Sequence, residues 1–392
     1  MNVLANRVKD IEGFIVMTVL EKAKKLERAG KNIIHFEIGE PDFDTPERVR
    51  QAAMAGCQEG KTHYTHSLGY LELRDAITSY KKKSRNIDVD PESEIMVLGG
   101  TSPGYLIVAG SLIEPGDEIV ITDPGYPCYA NFIKFFGGIP KLLKIHEDEK
   151  FDFNPDRLKE VVTPKTKMLI LNSPANPTGQ LISRKSLEKI ADISIKNDLM
   201  VVSDEIYAEL IYTEDKIAPS ISEIPEMKER TIVLDGFSKY WAMTGWRLGY
   251  IIAPHALLPD MNKVNQNFLI CAPSISQVAA IEALKCETET KEMLRKYKER
   301  RDYIHTRVNE IEGLSLVKPS GAFYAFVNIK GIQDDSLNFS LDLLEKGLVA
   351  TTPGIGFGEN GEGYVRFSYC TDISNIKEGM NRLETFIKDF KS

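Results

Sequence analysis

LMVVSDEIYAEL (residues 199–210) and TIVLDGFSKYWAMTGWRLGYIIA (residues 231–253) decide the fold class. Each opens on a short, almost wholly apolar run and passes into polar residues, the pattern of a strand covered on both faces. Working outward, EIMVLGG (94–100), EIVITD (118–123) and KMLILNSP (167–174) read the same way, and RLGYIIA (247–253) closes the series. Helical patterns lie near 103–113, 126–136, 184–197 and 205–211. This alternation predicts an α/β fold around a mostly parallel sheet. Ligands of such sheets sit beyond the carboxyl ends of the strands. The first candidates for function are therefore Gly99-Gly100-Thr101, Asp123-Pro124, Asn172 to Asn176, Asp204 and Ser238-Lys239.

The last third has a different rhythm. A helical stretch over 274–310 leads to shorter strands around LSLVKPSGAFYAFVNI (314–329) and a closing amphipathic helix, 373–390. The expected organisation is a large domain, 46–280, and a smaller α/β domain built from 281–392 with residues 1–45 as an arm. A length of 392 residues suits two or three domains, and 42% apolar with 27% charged residues excludes disordered and collagen-like classes. No apolar run approaches the ~18 residues of a membrane helix, and the opening MNVLANRVKDIEG does not read as an export signal, so a cytoplasmic protein is expected. With 49 Lys plus Arg against 57 Asp plus Glu, the net charge of -8 disfavours nucleic-acid and membrane partners. The five cysteines include no CxxC pair and are read as reduced thiols. His63 and His66 are the only close histidine pair and lack zinc-site neighbours, so no metal is expected.

Several residues carry possible chemistry. GGTSPG (99–104) follows a strand and opens a helix; Thr101 or Ser102 suits the N-cap and Pro103 the first helical position. Two glycines beside free N–H groups could form a phosphate cup, although every helix needs such an end. Asp204 could be a helix N-cap or a carboxylate facing a cationic ring nitrogen, with Tyr207 on the same helical face as either a core aromatic or a ligand to an oxygen. Lys239, among Phe237, Tyr240 and Trp241, is expected to be partly desolvated, which favours a nucleophilic amine. Arg247, between Trp246 and Leu248, and Arg366, between Val365 and Phe367, call for anionic partners such as phosphate or carboxylate. Alternation leaves open whether Arg366 faces solvent or a cleft.

Taken in order, NPTG (176–179), SDEIYAEL (203–210), SKYWAMTGWRLGY (238–250), SGAFYAF (320–326) and YVRFS (364–368) resemble the class I aminotransferases, in the aspartate aminotransferase-like branch. The likeness runs from FEIGEPDFDTP (36–46) to Arg366. It implies fold type I, with a mostly parallel seven-stranded sheet in the large domain, and pyridoxal 5′-phosphate as cofactor. It also implies a ping-pong transfer of an amino group between an L-amino acid and a 2-oxo acid, and a homodimer with shared active sites. Under the resemblance Lys239 would hold the cofactor as an internal aldimine and move the substrate's α-proton. Asp204 would pair with the ring nitrogen, Tyr207 and Asn176 would bond the ring's phenolic oxygen, and Tyr126 would stack on the ring. Gly100, Thr101, Ser102, Ser238 and Arg247 would lie at the cofactor's phosphate end, joined by Tyr64 from a second subunit. Arg366 would clamp the substrate carboxylate, with Gly39, Asn176 and Tyr126 nearby.

Two positions depart from many relatives. Gly236 stands three residues before Lys239 where Ser is common, and Tyr126 stands where aspartate-preferring relatives often carry Trp. No motif marks a second Arg for a side-chain carboxylate, so aspartate, aromatic, alanine-like and broad use remain open. The rival within the fold is a β-lyase or another amino-acid-transforming enzyme. A ligand-sensing regulator is disfavoured because the likeness begins too near residue 1 for an added DNA-binding domain, and a plain nucleotide-binding protein because no GxGxxG follows the strands.

Overall fold

The structure, a computed structural model, describes residues 3–13 and 15–391. Strand β1 (Ile34–His35) is short and pairs in parallel with β10 (Val349–Ala350). The central sheet takes β2 (Ile95–Leu98), β3 (Glu118–Asp123), β4 (Ile139–Lys144), β5 (Thr166–Asn172), β6 (Met200–Asp204), β7 (Thr231–Gly236) and β8 (Gly249–Ile252). Their order across the sheet is β2-β8-β7-β6-β5-β3-β4. The neighbours β4, β3, β5, β6 and β7 run parallel, whereas β8 is antiparallel to both β2 and β7. A second, three-stranded antiparallel sheet has the order β11-β12-β9, from β9 (Tyr324–Asn328), β11 (Thr352–Pro353) and β12 (Tyr364–Ser368).

The unbroken apolar runs follow from burial on both faces. Ile232 and Leu234 enter one core with Ile170 and Val202, while the intervening Val233 enters the opposite core with Val97 and Tyr250. Each such aliphatic side chain stabilises the fold by about 1.5–3 kcal/mol through the area removed from water. Sheet register then fixes the chemistry-bearing ends: Asn172 pairs with Asp204, and Asp204 with Leu234. In the second region, Val19, Ala23 and Ile33 pack with Leu344 and Ala350, which ties the N-terminal segment to the C-terminal part of the chain.

Three expectations need correction. Strand β4 was not anticipated, because it is an edge strand whose Pro140, Lys141 and Lys144 break the apolar run; Ile139 and Leu142 on it stay exposed. The stretch 274–310 is two helices, Ser274–Ala283 and Glu287–Glu310. No Pro or Gly marks the break; Glu287 and Glu289 occupy the first turn of the second helix, where the helix dipole favours acids. Residues 205–211 are not helical. Ala208 N–H donates to Glu205 O and Leu210 N–H to Tyr207 O, closing consecutive turns, and Ile211 then bridges to Gly321. Asp204 and Tyr207 therefore do not share a helical face.

Candidate active site

Asp204 ends β6 almost fully buried. Its Oδ2 accepts from the Tyr105 hydroxyl at 2.8 Å and the Tyr129 hydroxyl at 2.7 Å, and its Oδ1 from the Ile206 N–H at 3.2 Å. Burial raises the Asp204 carboxyl above its ordinary value, and the three donors oppose that shift. Tyr105 and Tyr129 come from the helices Thr101–Leu112 and Cys128–Phe135, and sequence reasoning missed both. Their helices follow strand ends, but nothing local distinguishes them from core aromatics.

Lys239 follows β7 by three residues, and its Nζ donates to Gly39 O at 2.6 Å. The Phe323 ring lies 5.8 Å from that nitrogen. Burial lowers the Lys239 ammonium from its ordinary value to about 8; Cys370 and Glu40 work against the shift, while the Arg366 and Arg247 charges add to it. About a tenth of the amine is thus neutral and nucleophilic at pH 7, far more than for an ordinary lysine. Gly39 cannot be larger, since a Cβ there would lie 2.0 Å from the Tyr324 hydroxyl.

Arg366 lies in β12, where every residue is buried, so its side chain points into the protein rather than to solvent. Nη1 donates to Asn176 Oδ1 at 2.9 Å, and Nη2 to Glu37 O at 2.5 Å and Thr352 Oγ1 at 3.2 Å. Its Nε is buried without a hydrogen-bond partner among the described residues. The guanidinium also lies over Tyr324, 4.5 Å from the ring centre. Glu37, Thr352 and Tyr324 were not singled out from the sequence. Tyr207 is buried with its hydroxyl 2.8 Å from that of Tyr324, and Asn176 is anchored by its N–H donating to Asn172 Oδ1 at 2.9 Å.

At the other end, Gly100 rather than Thr101 or Ser102 is the N-cap of the helix beginning at Thr101, and no side chain caps it. The reason is backbone conformation: Gly100 has φ +108°, accessible to glycine without strain. Arg247 lies against this turn, so that a Cβ on Gly100 would come 2.7 Å from its Nη2. Arg247 is exposed and also donates from Nη1 to Thr244 O at 3.2 Å. Gly236 has a steric cause, since a Cβ there would lie 2.9 Å from Gly249 Cα. Ser238 and Tyr126 are half-buried, and Tyr126 packs edge-on against Tyr129 at 5.3 Å. Tyr64 is 82% exposed and is not brought into contact with Arg247 or Gly100 within the single chain.

Among the described residues no His, Cys, Asp and Glu group could hold a metal, and no helix is long and apolar enough to cross a membrane. The family model for aminotransferase class I and II matches residues 31–383. The chain is 42% identical to a (5-formylfuran-3-yl)methyl phosphate transaminase of Methanocaldococcus jannaschii, over 98% of this chain and 99% of that protein. It is 43% identical to an aspartate aminotransferase of Pyrococcus abyssi, over 92% and 93%. A solved Pyrococcus structure, described as protein-A1, superposes with a TM-score of 0.95 at 40% identity, covering 98% of this chain and 99% of that one. The fold-type I architecture implied by the motifs is the one found. This chain belongs to the aminotransferase class I and II family and is a transaminase.

Proposed function

We propose that this transaminase carries pyridoxal 5′-phosphate and moves an amino group between an L-amino acid and a 2-oxo acid in two half-reactions. The observation that carries the reading is the placement of two groups at the carboxyl side of adjacent strands: a buried Asp204 carboxyl at the end of β6, and, three residues beyond β7, a Lys239 amine lowered to about 8. The donor set fits the cofactor: an amine for its aldehyde, a buried carboxylate for its ring nitrogen, and Gly100 with Arg247 for its phosphate. When bound, pyridoxal phosphate supplies an electron sink that makes the substrate's α-proton acidic.

The chain's own residues do the rest. Asp204, oriented by the Tyr105 and Tyr129 hydroxyls that favour its ionised form, would hold positive charge on the ring nitrogen. The Lys239 amine would take the proton from the substrate's α-carbon and return it to the cofactor's C4′, two atoms along. Tyr207 and Asn176 hydrogen-bond the ring's phenolic oxygen, and Tyr126 covers the ring. Arg366 holds the substrate carboxylate, its unpaired Nε supplying one donor. Gly39, whose carbonyl accepts from Lys239 Nζ, lies beside the substrate. Thr101, Ser102 and Ser238 line the phosphate end, and Tyr64 reaches it from a second copy of the chain, consistent with its exposure in one copy. The corresponding organisation is a homodimer with a large unit of 46–280 and a smaller unit of 1–45 with 281–392. Five free cysteines suit a reducing cytoplasm.

The test is the isolated first half-reaction. The cofactor-loaded protein mixed with an amino donor alone should release one 2-oxo acid per site and stop; a 2-oxo acid added afterwards should restart it. Ammonia and pyruvate without a new amino acid would instead indicate β-elimination. Lys239→Ala should abolish both turnover and the absorbance of the covalently held cofactor with the fold retained, and full turnover in that variant would rule the assignment out. A donor panel with 2-oxoglutarate then identifies the substrate, on which the named relatives differ.

A further inference from the structure

A cavity of about 810 Å³ lies between the helices Leu71–Arg85 and Glu287–Glu310 and the segment 211–217. That volume falls within the range of small-molecule sites. None of Lys239, Asp204, Tyr207, Asn176, Arg247 or Arg366 lines it. Its walls include Ile211, Ile217, Trp241, Ile281, Leu284 and Leu294, a largely apolar and aromatic surface.

Two polar features interrupt that surface. The first is Glu209, only 4% exposed, whose Oε1 accepts from the Tyr80 hydroxyl at 3.3 Å while Oε2 has no partner among the described residues. The nearby buried cations act on Glu209 through their charge, but their closest carboxylates are others, Asp235 at 2.6 Å from Lys81 and Glu205 at 3.0 Å from Arg85. Glu209 Oε2 is therefore left without a hydrogen-bond donor among the described residues. Burial, with the Asp235 charge, pushes its carboxyl up to about 7. The second feature is the rim, where Lys83, Lys216, Lys285, Lys291, Arg295 and Lys298 outnumber Asp215 and Glu287. Lys83 and Lys291 both pair with Glu287, whereas Lys216 and Lys298 have no ion-pair partner among the described residues.

We propose that this cavity is a second ligand site for a small aromatic acid, with its ring on the apolar wall, a hydrogen-bond donor at Glu209 and its carboxylate at Lys216 and Lys298. Leaving a buried acceptor unpaired is unfavourable, so a donor that reaches Glu209 gains more than its contact area alone. Tyr240 and Trp241, both in the lining, directly follow Lys239, which joins the cavity to the catalytic segment through the backbone.

The test is calorimetric titration of the full-length, cofactor-loaded protein with 3-(4-hydroxyphenyl)propanoate. It is run with Arg366→Lys, so that carboxylate binding in the catalytic site is weakened while the second site is left intact. One site per chain is expected, with affinity reduced about tenfold or more by Ala76→Trp, which fills the cavity from its helical wall, and by Lys216→Ala with Lys298→Ala. The analogue 3-phenylpropanoate, lacking the hydroxyl donor, should bind about tenfold more weakly, and Glu209→Leu should erase that preference. If Glu209→Leu does not fold, the comparison of the two probes on the parent protein decides the role of the acceptor. No binding at millimolar probe, binding that Ala76→Trp leaves unchanged, or equal affinity for the two probes would overturn the proposal.

Discussion

Arg366 Nη1 donates to Asn176 Oδ1 at 2.9 Å, linking the three-stranded sheet to the loop that follows β5 of the central sheet. The residues proposed for substrate capture and cofactor contact thus hold each other in place. Arg366→Lys keeps the charge and loses the fork, and an ammonium cannot satisfy Asn176, Glu37 O and a substrate carboxylate in the same geometry. Loss of one charge-assisted contact is worth about 1.5–3 kcal/mol, so kcat/KM should fall by about 10- to 100-fold, mostly through KM. Steady-state kinetics with a good amino donor checks this, and unchanged KM would remove Arg366 from the substrate.

The Tyr105 and Tyr129 hydroxyls both converge on Asp204 Oδ2, and both stabilise its ionised form against burial. Tyr105→Phe or Tyr129→Phe removes one donor with little change in shape. The carboxyl then holds its proton more tightly, so the acid limb of the activity profile should move to higher pH. A roughly tenfold lower kcat is expected near that limb, from a charged hydrogen bond of about 1.5 kcal/mol. A pH-rate profile identical to that of the parent would show that the two hydroxyls only fill space.

These residues also mark where sequence reading reaches and where it stops. Asp204, Lys239 and Asn172 stand at or just beyond the ends of apolar runs, so a period that betrays buried parallel strands also points to the candidate site. Arg366 could be named but not oriented, because alternation alone does not say that both faces of β12 are covered. Tyr105 and Tyr129 look like ordinary core aromatics within their own helices. Their role exists only because those helices pack on the sheet beside β6, a long-range relation that no local pattern encodes. Strand β4 escaped notice for the opposite reason: it is half-exposed and interrupted by Pro and Lys, as edges are.

Beneath the site, Lys81 is fully buried between Asp235 at 2.6 Å and Glu205 at 4.0 Å, and Asp235 also accepts from the Tyr250 hydroxyl at 2.7 Å. Burial opposes the Lys81 charge, but the carboxylates of Asp235, Glu209 and Glu205 outweigh it and raise the ammonium above its ordinary value. Lys81→Met leaves those carboxylates buried with less compensation. The expected loss is about 3–5 kcal/mol, read as a lower urea midpoint with an unchanged slope. Lys82→Met is the control: its pair with Asp88 is largely exposed, and about 0–1 kcal/mol is expected.

His35 lies between Glu37, whose Oε1 is 2.7 Å from Nδ1, and Glu27, whose Oε1 is 3.0 Å from Nε2. The hydrogen bond to Glu37 is the main cause that raises the imidazolium to about 8, with Glu27 adding to it and burial opposing. Because the folded value lies above the ordinary 6.5, the imidazolium adds stability that is fully present below about pH 6.5 and is lost as pH rises through about 8. The gap corresponds to at most about 2 kcal/mol, reduced by the partial exposure of the ring. His35→Gln should therefore flatten the fall in urea-measured stability between these pH values. The same change bears on the site, since Glu37 O accepts from Arg366 Nη2 and the Glu37 side chain is held by His35. Raising the pH through 8 should loosen that anchor in the parent and leave KM for the amino donor less altered in His35→Gln. Parallel pH dependence of stability in the two proteins would sink this account.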